Sequence, residues 1–312
     1  MSSTTSADEQ PILVTGAHRS GTTWVGKMLA AQDGVAYISE PLNVLHRPGV
    51  LRVRAPYWYT YIAAENEGEY LPALREMLDF DYHLGAELRS LRSRKDVLRM
   101  VRDFHSFFVG NMHGERPLLK DPFAVFSAPW FAERLNCRVV ITVRHPAGFA
   151  SSLKRLGWFF DFRDLLAQPL LMRDHLEADR AAMEKMDPGD IIGQAALLWK
   201  LIYRAVHGFS QVHPEFHVVR QEELALDPPT GFRDLYAALG LHFSEEAEKK
   251  ILESSSSENP KELARNRHHS IKMDSRASVK SWKKHLNTQE LERIRSVTED
   301  IARLYYPEET WQ

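Results

Sequence analysis

Short apolar runs, separated by longer mixed segments, recur along the chain. Each run is too short for a core helix, and several are rich in β-branched residues, which favours buried strands. The runs are residues 12–14, 35–38, 118–119, 137–143 and 216–220. The pattern predicts a central sheet of four or five short strands.

The segments between these runs contain helical patterns. Residues 191–212 predict a long amphipathic helix, and residues 289–305 predict a last helix whose N-cap is Thr288. Pro146 suits the first turn of another helix. Strands that alternate with helices predict a single α/β domain, in which a mostly parallel sheet has helices on both faces.

Composition narrows the function classes. The chain has 312 residues, 44% hydrophobic and 26% charged, with a net charge of −2, which gives no support for nucleic-acid binding. Cys137 is the single cysteine, so a reducing compartment, the cytoplasm, is expected. No secretory leader or transmembrane run is expected. Residues 1–10 are polar and predicted to be disordered, which places the domain at residues 11–312.

The first predicted strand runs into a glycine-bounded loop and then into a helix. Gly16 and Gly21 bound this loop, and both Thr22 and Thr23 follow it. A strand, a tight loop and a helix N-terminus point backbone N–H groups at an anion. Ser20, Thr22 and Thr23 add hydroxyl groups, and Arg19 adds a guanidinium. The stretch therefore predicts a phosphate-binding loop.

This loop departs from the nucleotide-hydrolase pattern at one position. Gly16 and Gly21 have the spacing of that pattern, but Thr22 stands where a lysine would contact the β- and γ-phosphates. The cation lies inside the loop instead, at Arg19. This argues against an ordinary ATPase or GTPase.

The loop resembles that of sulfotransferases that use 3'-phosphoadenosine 5'-phosphosulfate (PAPS). Its core runs Arg19, Ser20, Gly21, Thr22, Thr23, Trp24. The resemblance implies that PAPS is the sulfuryl donor, that adenosine 3',5'-bisphosphate (PAP) is the product, and that no metal is required. It also implies that Trp24 stacks on the adenine.

Two further segments extend the resemblance. Arg144 at a strand end and Ser152 eight residues later match the family's 3'-phosphate site, and a guanidinium with a hydroxyl suits a phosphate. The resemblance also makes Arg276, Ser278 and Lys280 nucleotide ligands, within a mobile cap at residues 254–284. This C-terminal match lacks the family's glycine.

The family pattern points to a catalytic carboxylate. Glu40 follows the second predicted strand, where parallel sheets bind ligands, and related carbohydrate enzymes have a glutamate at similar spacing. Cytosolic members have a histidine base at the position of Pro122, which is inert here. We therefore expect Glu40 to be the base, with Asp121 as the second choice. Lys120 would hold the reacting oxygens.

Alternatives to these roles stay open. Glu40 could instead be a structural carboxylate, paired with Arg19 or capping a turn. His18 and His105 are further candidates for the base. Two other functions are a Mg-ATP-dependent small-molecule kinase and a non-catalytic nucleotide-binding protein.

The acceptor side of the site is the least defined part of the sequence. Residues 45–115 form the variable acceptor-side region, and the aromatic residues at 55–62 are expected in the core rather than in an acceptor pocket. The charged stretch at 89–102 is expected to be a solvated helix face. The expected acceptor is a hydroxyl of a sugar, lipid or small metabolite, and the oligomeric state is open.

Overall fold

A five-stranded sheet lies at the centre of the computed structural model, which describes residues 10–45, 47–262 and 271–311. Every paired strand is parallel, and the order across the sheet is β2-β3-β1-β4-β5. The strands are β1 Ile12–Gly16, β2 Val35–Ser39, β3 Arg116–Lys120, β4 Arg138–Val143 and β5 His217–Arg220. All five predicted strands, and the predicted fold class, are therefore confirmed.

The register brings the ends of the strands to one edge. Gly16 pairs with Thr142, Ser39 pairs with Lys120, and Val143 pairs with Arg220. In parallel strands the carboxyl ends share one edge, so the residues that follow these positions meet there.

Helices connect the strands. The longer helices are α1 Thr22–Leu29, α2 Glu67–Leu78, α3 Leu84–Ser90, α4 Arg94–His113, α5 Ala128–Leu135, α6 Pro146–Leu156, α10 Ile191–Val212, α12 Pro228–Leu239, α13 Glu245–Ser255 and α15 Thr288–Ala302. The shorter ones are α7 Arg163–Leu166, α8 Pro169–Leu171, α9 Arg180–Glu184, α11 Gln221–Leu226 and α14 Ser275–Val279. Single turns of 3-10 or π helix lie at Pro122–Ser127, Met172–Leu176, Glu177–Asp179, Ser281–Lys284 and Glu308–Trp311.

The two faces of the sheet build two apolar clusters. Ile12 and Val14 point to one face, where residues of α1, α12 and α13 pack against them. Leu13 points to the other face, which is covered by α5, α6, α10 and α15. Successive strand residues alternate between faces, so a single strand supplies both clusters. Helices on both faces match the expectation from sequence.

Helix ends agree with the sequence pattern at one helix and differ at another. The helix α10 has the predicted bounds. The N-cap of α15 is Asn287 and not Thr288, which is the first helical residue. The Asn287 side chain accepts from the N–H of Glu290 at 2.8 Å, and the Glu290 carboxylate accepts from the N–H of Asn287 at 2.9 Å. This reciprocal capping box explains the correction.

Parts of two predicted segments lie outside the described residues, namely positions 1–9 and 263–270. Gln10, at the end of the first, donates from Nε2 to Asn136 Oδ1 at 2.6 Å. Across the described ranges, no helix combines the length and the apolarity that crossing a bilayer requires.

Buried His145 attaches the C-terminal segment to the sheet. It follows β4, and its Nδ1 accepts from the N–H of Ala147 at 3.3 Å. Its ring stacks on Trp282 at 5.8 Å and meets Tyr306 and Trp311 edge-on at 5.1 and 4.6 Å. Burial and the charge of Arg144 lower the pKa of His145 to about 3. The ring is therefore packed in its neutral form.

This packing predicts acid sensitivity. Below about pH 6.5 the unfolded chain binds a proton at this residue, whereas the folded protein does not until about pH 3. The neutral ring therefore carries no penalty above pH 6.5. As the pH falls below that value, the free energy of unfolding decreases, by about 2 kcal/mol at about pH 5. We expect the free energy of unfolding, measured with urea, to fall between about pH 7.5 and about pH 5 in both proteins. The fall should be about 2 kcal/mol smaller in His145→Phe than in the wild type. Equal losses in both proteins would contradict the assignment.

Candidate active site

The loop between β1 and α1 has a backbone that only a few residues tolerate. Gly16 and Gly21 have φ angles of 133° and 93°, and Arg19 has a φ of 67°. A Cβ at Gly16 would overlap the carbonyl oxygen of Thr142 and lie 2.8 Å from its Oγ1. The loop therefore needs glycine where it passes β4, and it holds Arg19 in a conformation unusual for a side chain of its size.

Buried hydroxyl groups fix this loop to its surroundings. Ser20 Oγ donates to the carbonyl of Ala17 at 2.5 Å and lies 2.7 Å from Thr142 Oγ1. Tyr203, on α10, donates to the carbonyl of Thr142 at 3.0 Å and accepts from the N–H of Ala17 at 3.3 Å. The hydroxyl of Ser20, which the sequence analysis offered as a ligand, is thus directed into the protein. Tyr203 supports the loop without any motif that would mark it in the sequence.

A cavity opens above the loop, and we call it the loop cavity. Predicted site residues that line it are Arg19, Gly21, Thr22, Thr23, Trp24, Arg144 and Ser278. Residues that the sequence analysis missed also line it: Gln221, Ser254, Ile271, Met273 and Ser275. These residues come from the start of α11, from α13 and from the segment that leads into α14, so elements far apart in the chain meet at this cavity.

The start of α1 faces this cavity without a side-chain cap. Gly21 is the N-cap residue, and among the described residues the helix start has no side-chain cap hydrogen bond. Thr22 and Thr23, in this first turn, line the cavity. Unpaired N–H groups at a helix start favour an anion.

Three guanidinium groups gather beside the loop. Arg144 Nη1 donates to the carbonyl of Arg19 at 3.0 Å, and Arg19 Nε donates to Ser152 Oγ at 3.2 Å. Burial and the charges of Arg144 and Arg155 lower the pKa of Arg19 to about 10. Burial also lowers the pKa of Arg144, against the charge of Glu222. These like charges create a strongly positive site, to which Arg155 adds a cation that no motif indicated.

The absence of a side chain at Gly148 leaves space for the Arg144 side chain. A Cβ at Gly148 would lie 3.0 Å from Arg144 Nε. The glycine in the first turns of α6 therefore allows the guanidinium to lie close to the helix that carries Ser152.

Trp24 forms part of the cavity wall. Its indole Nε1 donates to Ser254 Oγ at 2.9 Å, and its ring meets Phe232 edge-on at 5.1 Å. These contacts hold the ring in one orientation.

Two predicted ligands lie elsewhere in this structure. Arg276 is exposed and donates from Nε to the carbonyl of Leu226 at 3.0 Å. Lys280 lines a different cavity, which it shares with His145, Glu222 and Tyr306. Of the three C-terminal residues, only Ser278 lines the loop cavity, because α14 turns the two cationic side chains away.

Glu40 lies at the end of β2 in a constrained position. Its φ is 51°, and its N–H donates to the carbonyl of Lys120 at 2.7 Å. Its Oε1 forms an ion pair with buried Lys120, and its Oε2 accepts from Asn43 Nδ2 at 2.8 Å. The structure brings the two predicted residues Glu40 and Lys120 together, and the carboxylate is held at both oxygens.

Asp121 has a different environment. It is buried, and its two oxygens accept from the N–H groups of Leu42 at 2.6 Å and Phe123 at 2.9 Å. Burial and the charge of Glu40 raise its pKa to about 7. It lines neither the loop cavity nor the cavity beside Glu40, and it holds the turn that follows Glu40.

The histidine alternatives differ in exposure. His18 is packed among aromatic rings, with Nδ1 2.6 Å from Tyr59 Oη, and burial lowers its pKa to about 4. His105 is exposed on α4. Neither lines the two cavities.

A second cavity of about 610 Å³ lies beside Glu40, and we call it the Glu40 cavity. The turn after β2 and the helix α4 form much of its lining, which is Thr23, Lys27, Tyr37, Ile38, Ser39, Glu40, Asn43, Leu45, Arg47, Val50, Arg99, Arg102, Asp103, Ser106 and Phe107. Thr23 also lines the loop cavity, so the two adjoin. Arg99 and Arg102, expected on a solvated face, therefore also line a cavity. Within the aromatic stretch 55–62, Tyr59 and Ile62 are fully buried in the core as expected, whereas Trp58 and Tyr61 are partly buried against it.

A parallel α/β sheet with a glycine-bounded loop between a strand end and a helix start at its carboxyl edge defines a P-loop-like protein. The family model described as "Sulfotransferase domain" matches residues 9–306. The chain therefore belongs to the sulfotransferase family, whose members are transferases of the sulfuryl group. A search of curated protein sequences finds no match.

Solved structures of similar fold include three sulfotransferases of low identity. The sulfotransferase domain from the curacin biosynthetic pathway is 17% identical, with a TM-score of 0.48 over 96% of this chain and 98% of that one. The sulfotransferase domain of the Synechococcus PCC 7002 olefin synthase is 16% identical, with a TM-score of 0.49 over 96% of each chain. Mouse SULT7A1, complexed with PAP, is 13% identical, with a TM-score of 0.45 over 95% of this chain and 88% of that one.

The glycine geometry gives a direct test of the loop. Gly16→Ala should destabilise the protein by at least about 2 kcal/mol, because a Cβ collides with β4 and the φ of 133° disfavours side chains. Gly68→Ala is the control, since nothing lies within 4 Å of the added Cβ and no positive φ applies there. Urea unfolding of both variants measures the difference. Similar stability of the two variants would contradict the described loop.

Proposed function

We propose that the protein transfers a sulfuryl group from PAPS to an acceptor hydroxyl by in-line displacement. The observation that supports this donor best is the group of Arg19, Arg144 and Arg155 beside Ser152 and the uncapped start of α1. Such a cluster is suited to a ligand with several negative charges at two separated positions.

The residues present fit PAPS. The donor set around the loop cavity consists of guanidinium, hydroxyl and N–H groups, which are the partners that phosphate and sulfate oxygens accept from. Arg19, Thr22, Thr23 and the backbone from Gly21 would hold the 5'-phosphosulfate. When bound, PAPS supplies the activated sulfuryl group.

The 3'-phosphate would lie with Arg144, which lines the loop cavity, and with Ser152 beside it. Ser278 also lines that cavity, but its hydroxyl donates to the carbonyl of Ser275 at 2.6 Å. Trp24 would contact the adenine. Arg276 and Lys280 remain proposed ligands by resemblance, and Arg276 would have to exchange its hydrogen bond to Leu226 to reach the nucleotide. Ser20 would act through its backbone and through the support it gives the loop.

Glu40 is proposed as the general base. Its carboxylate would accept the proton of the acceptor hydroxyl while Lys120 and Asn43 keep it oriented. Arg19, Lys120, Thr22 and the loop N–H groups would stabilise the charge that develops on the sulfuryl and leaving oxygens. Asp121 would position the Glu40 turn. No metal is part of this proposal.

The acceptor would bind in the Glu40 cavity, which adjoins the loop cavity at Thr23. Its hydroxyl can belong to a sugar, a lipid or a small metabolite. The region 45–115 would set this choice, since α4 and the turn after β2 supply the lining.

A reducing compartment, the cytoplasm, remains the proposed location. Burial raises the pKa of the single thiol, Cys137, to about 12, and it is free and buried. Such a thiol is unreactive and suits a core residue.

Arg144→Ala tests the donor assignment. We expect PAP to bind about tenfold or more weakly, because a charge-assisted contact to the 3'-phosphate is lost. Adenosine 5'-phosphosulfate, which lacks that phosphate, should bind nearly as it does to the wild type. Isothermal titration measures both ligands.

The matched control for this experiment is Arg233→Ala, which removes an exposed guanidinium paired with Glu248. It should bind PAP like the wild type. An equal loss of both ligands in Arg144→Ala would contradict the 3'-phosphate assignment, and metal-dependent binding of ATP without binding of PAP would contradict the donor class.

Glu40→Gln tests the base. Transfer of labelled sulfate from PAPS to a panel of hydroxyl acceptors should fall about 100-fold or more in kcat, because proton transfer from the acceptor is lost. PAP affinity should be unchanged. Asp121→Asn should keep most of the activity of its folded fraction. Full activity in Glu40→Gln would exclude Glu40 as the base.

A further inference from the structure

The Glu40 cavity has a cationic lining. Lys27, Arg47, Arg99 and Arg102 line it together with only two carboxylates, Glu40 and Asp103. A neutral acceptor such as an unmodified sugar does not require such a lining.

Most of these charges are neutralised within the protein. Arg47 Nη1 lies 2.5 Å from Asp103 Oδ2, and Arg102 Nη2 lies 2.8 Å from Asp103 Oδ1, so one carboxylate serves two guanidinium groups. Arg99 pairs with Asp96, and Glu40 pairs with Lys120. The carboxylates near the cavity are thus already engaged.

Lys27 is different. Within residues 10–45, 47–262 and 271–311 its ammonium has no hydrogen bond or ion pair, although it lines the cavity. The nearby charges that act on it most are cations, since burial and then Lys120 and Arg102 lower its pKa. A half-buried ammonium in the field of two other cations is stabilised by a counter-charge beside it.

Arg99 supplies a second unsatisfied donor on the same lining. Its Nε is buried and has no hydrogen-bond partner among the described residues. Arg102 keeps two-thirds of its side chain exposed while its Nε and Nη2 donate to Asp103 Oδ1, so Nη1 remains to donate to a ligand in the cavity.

We propose that the acceptor carries an oxyanionic group, which Lys27 and Arg102 bind while its hydroxyl faces Glu40. This inference rests on the proposed function and defines the acceptor class: a hydroxylated carboxylate, phosphate ester or sulfate ester. The anion lies against the α1 and α4 side of the cavity, away from the negative charge of Glu40. The same group gives Lys27 a counter-charge that the described residues do not supply.

Matched pairs of acceptors test this. The full chain, with labelled PAPS, is assayed with glucose against glucuronate and glucose 6-phosphate, and with 4-hydroxybenzyl alcohol against 4-hydroxybenzoate. Binding of each compound to the protein saturated with PAP is measured by isothermal titration. The anionic member of at least one pair should have a kcat/KM or an affinity about tenfold higher than its neutral partner. Carboxylate and phosphate members distinguish the two sources of the anion.

Variants assign the preference to the cavity. Lys27→Met should reduce the advantage of the anionic member about tenfold and leave the neutral member unchanged. Lys95→Met is the control, because Lys95 is exposed on α4 and does not line the cavity. PAP affinity should be equal in all three proteins.

Three outcomes overturn the inference: preference for the neutral members, equal losses for both members in Lys27→Met, or no binding or turnover of any anionic compound. Failure of the proposed function is distinguishable from these, because it would appear as absence of PAP binding to the wild type.

Discussion

The contact between Gly16 and the end of β4 is the constraint on which the site depends. The loop passes so close to Thr142 that it has no room for a side chain, and Ser20 and Tyr203 tie it to the same strand. The start of α1 and Arg19 then form part of the wall of the loop cavity. A displacement of the loop by about 1 Å would break this arrangement, because the hydrogen bonds that fix it are buried and weaken steeply with distance.

The loop also brings like charges together. Arg19 lies near Arg144 and Arg155, and the resulting repulsion and burial depress the pKa of Arg19. The folded protein therefore keeps repelling cations close together, and the proposed polyanionic ligand would reduce that repulsion. Strain of this kind at the carboxyl edge of a sheet is typical of a ligand site, and the left-handed backbone at Arg19 and Glu40 adds to it.

The sheet and the loop could be predicted because their signals are local. Short β-branched runs define buried strands, and glycine spacing defines the turn. Glu40 and Lys120 could each be placed at the carboxyl edge, because they lie at the ends of neighbouring parallel strands, but the ion pair between them was not predicted. The direction of side chains could not be predicted: the hydroxyl of Ser20 points inward, and Arg276 and Lys280 turn away from the cavity. Such orientations depend on neighbours distant in sequence, as does the burial that separates Asp121 from Glu40. The charged stretch at 89–102 predicted that Arg99 and Arg102 lie on a solvated helix face. It did not predict that this face lies opposite the turn after β2.

The two cavities are built largely from different elements, which affects how the specificity of the protein can change. The loop cavity is built from the central strands and the segments locked to them, whereas α4 supplies one side of the Glu40 cavity. Thr23 is the shared residue among those described. Under the proposed roles, substitutions along the inner face of α4 would therefore change the choice of acceptor and leave the proposed nucleotide site intact. The same separation makes this helix the place to begin a redesign of selectivity.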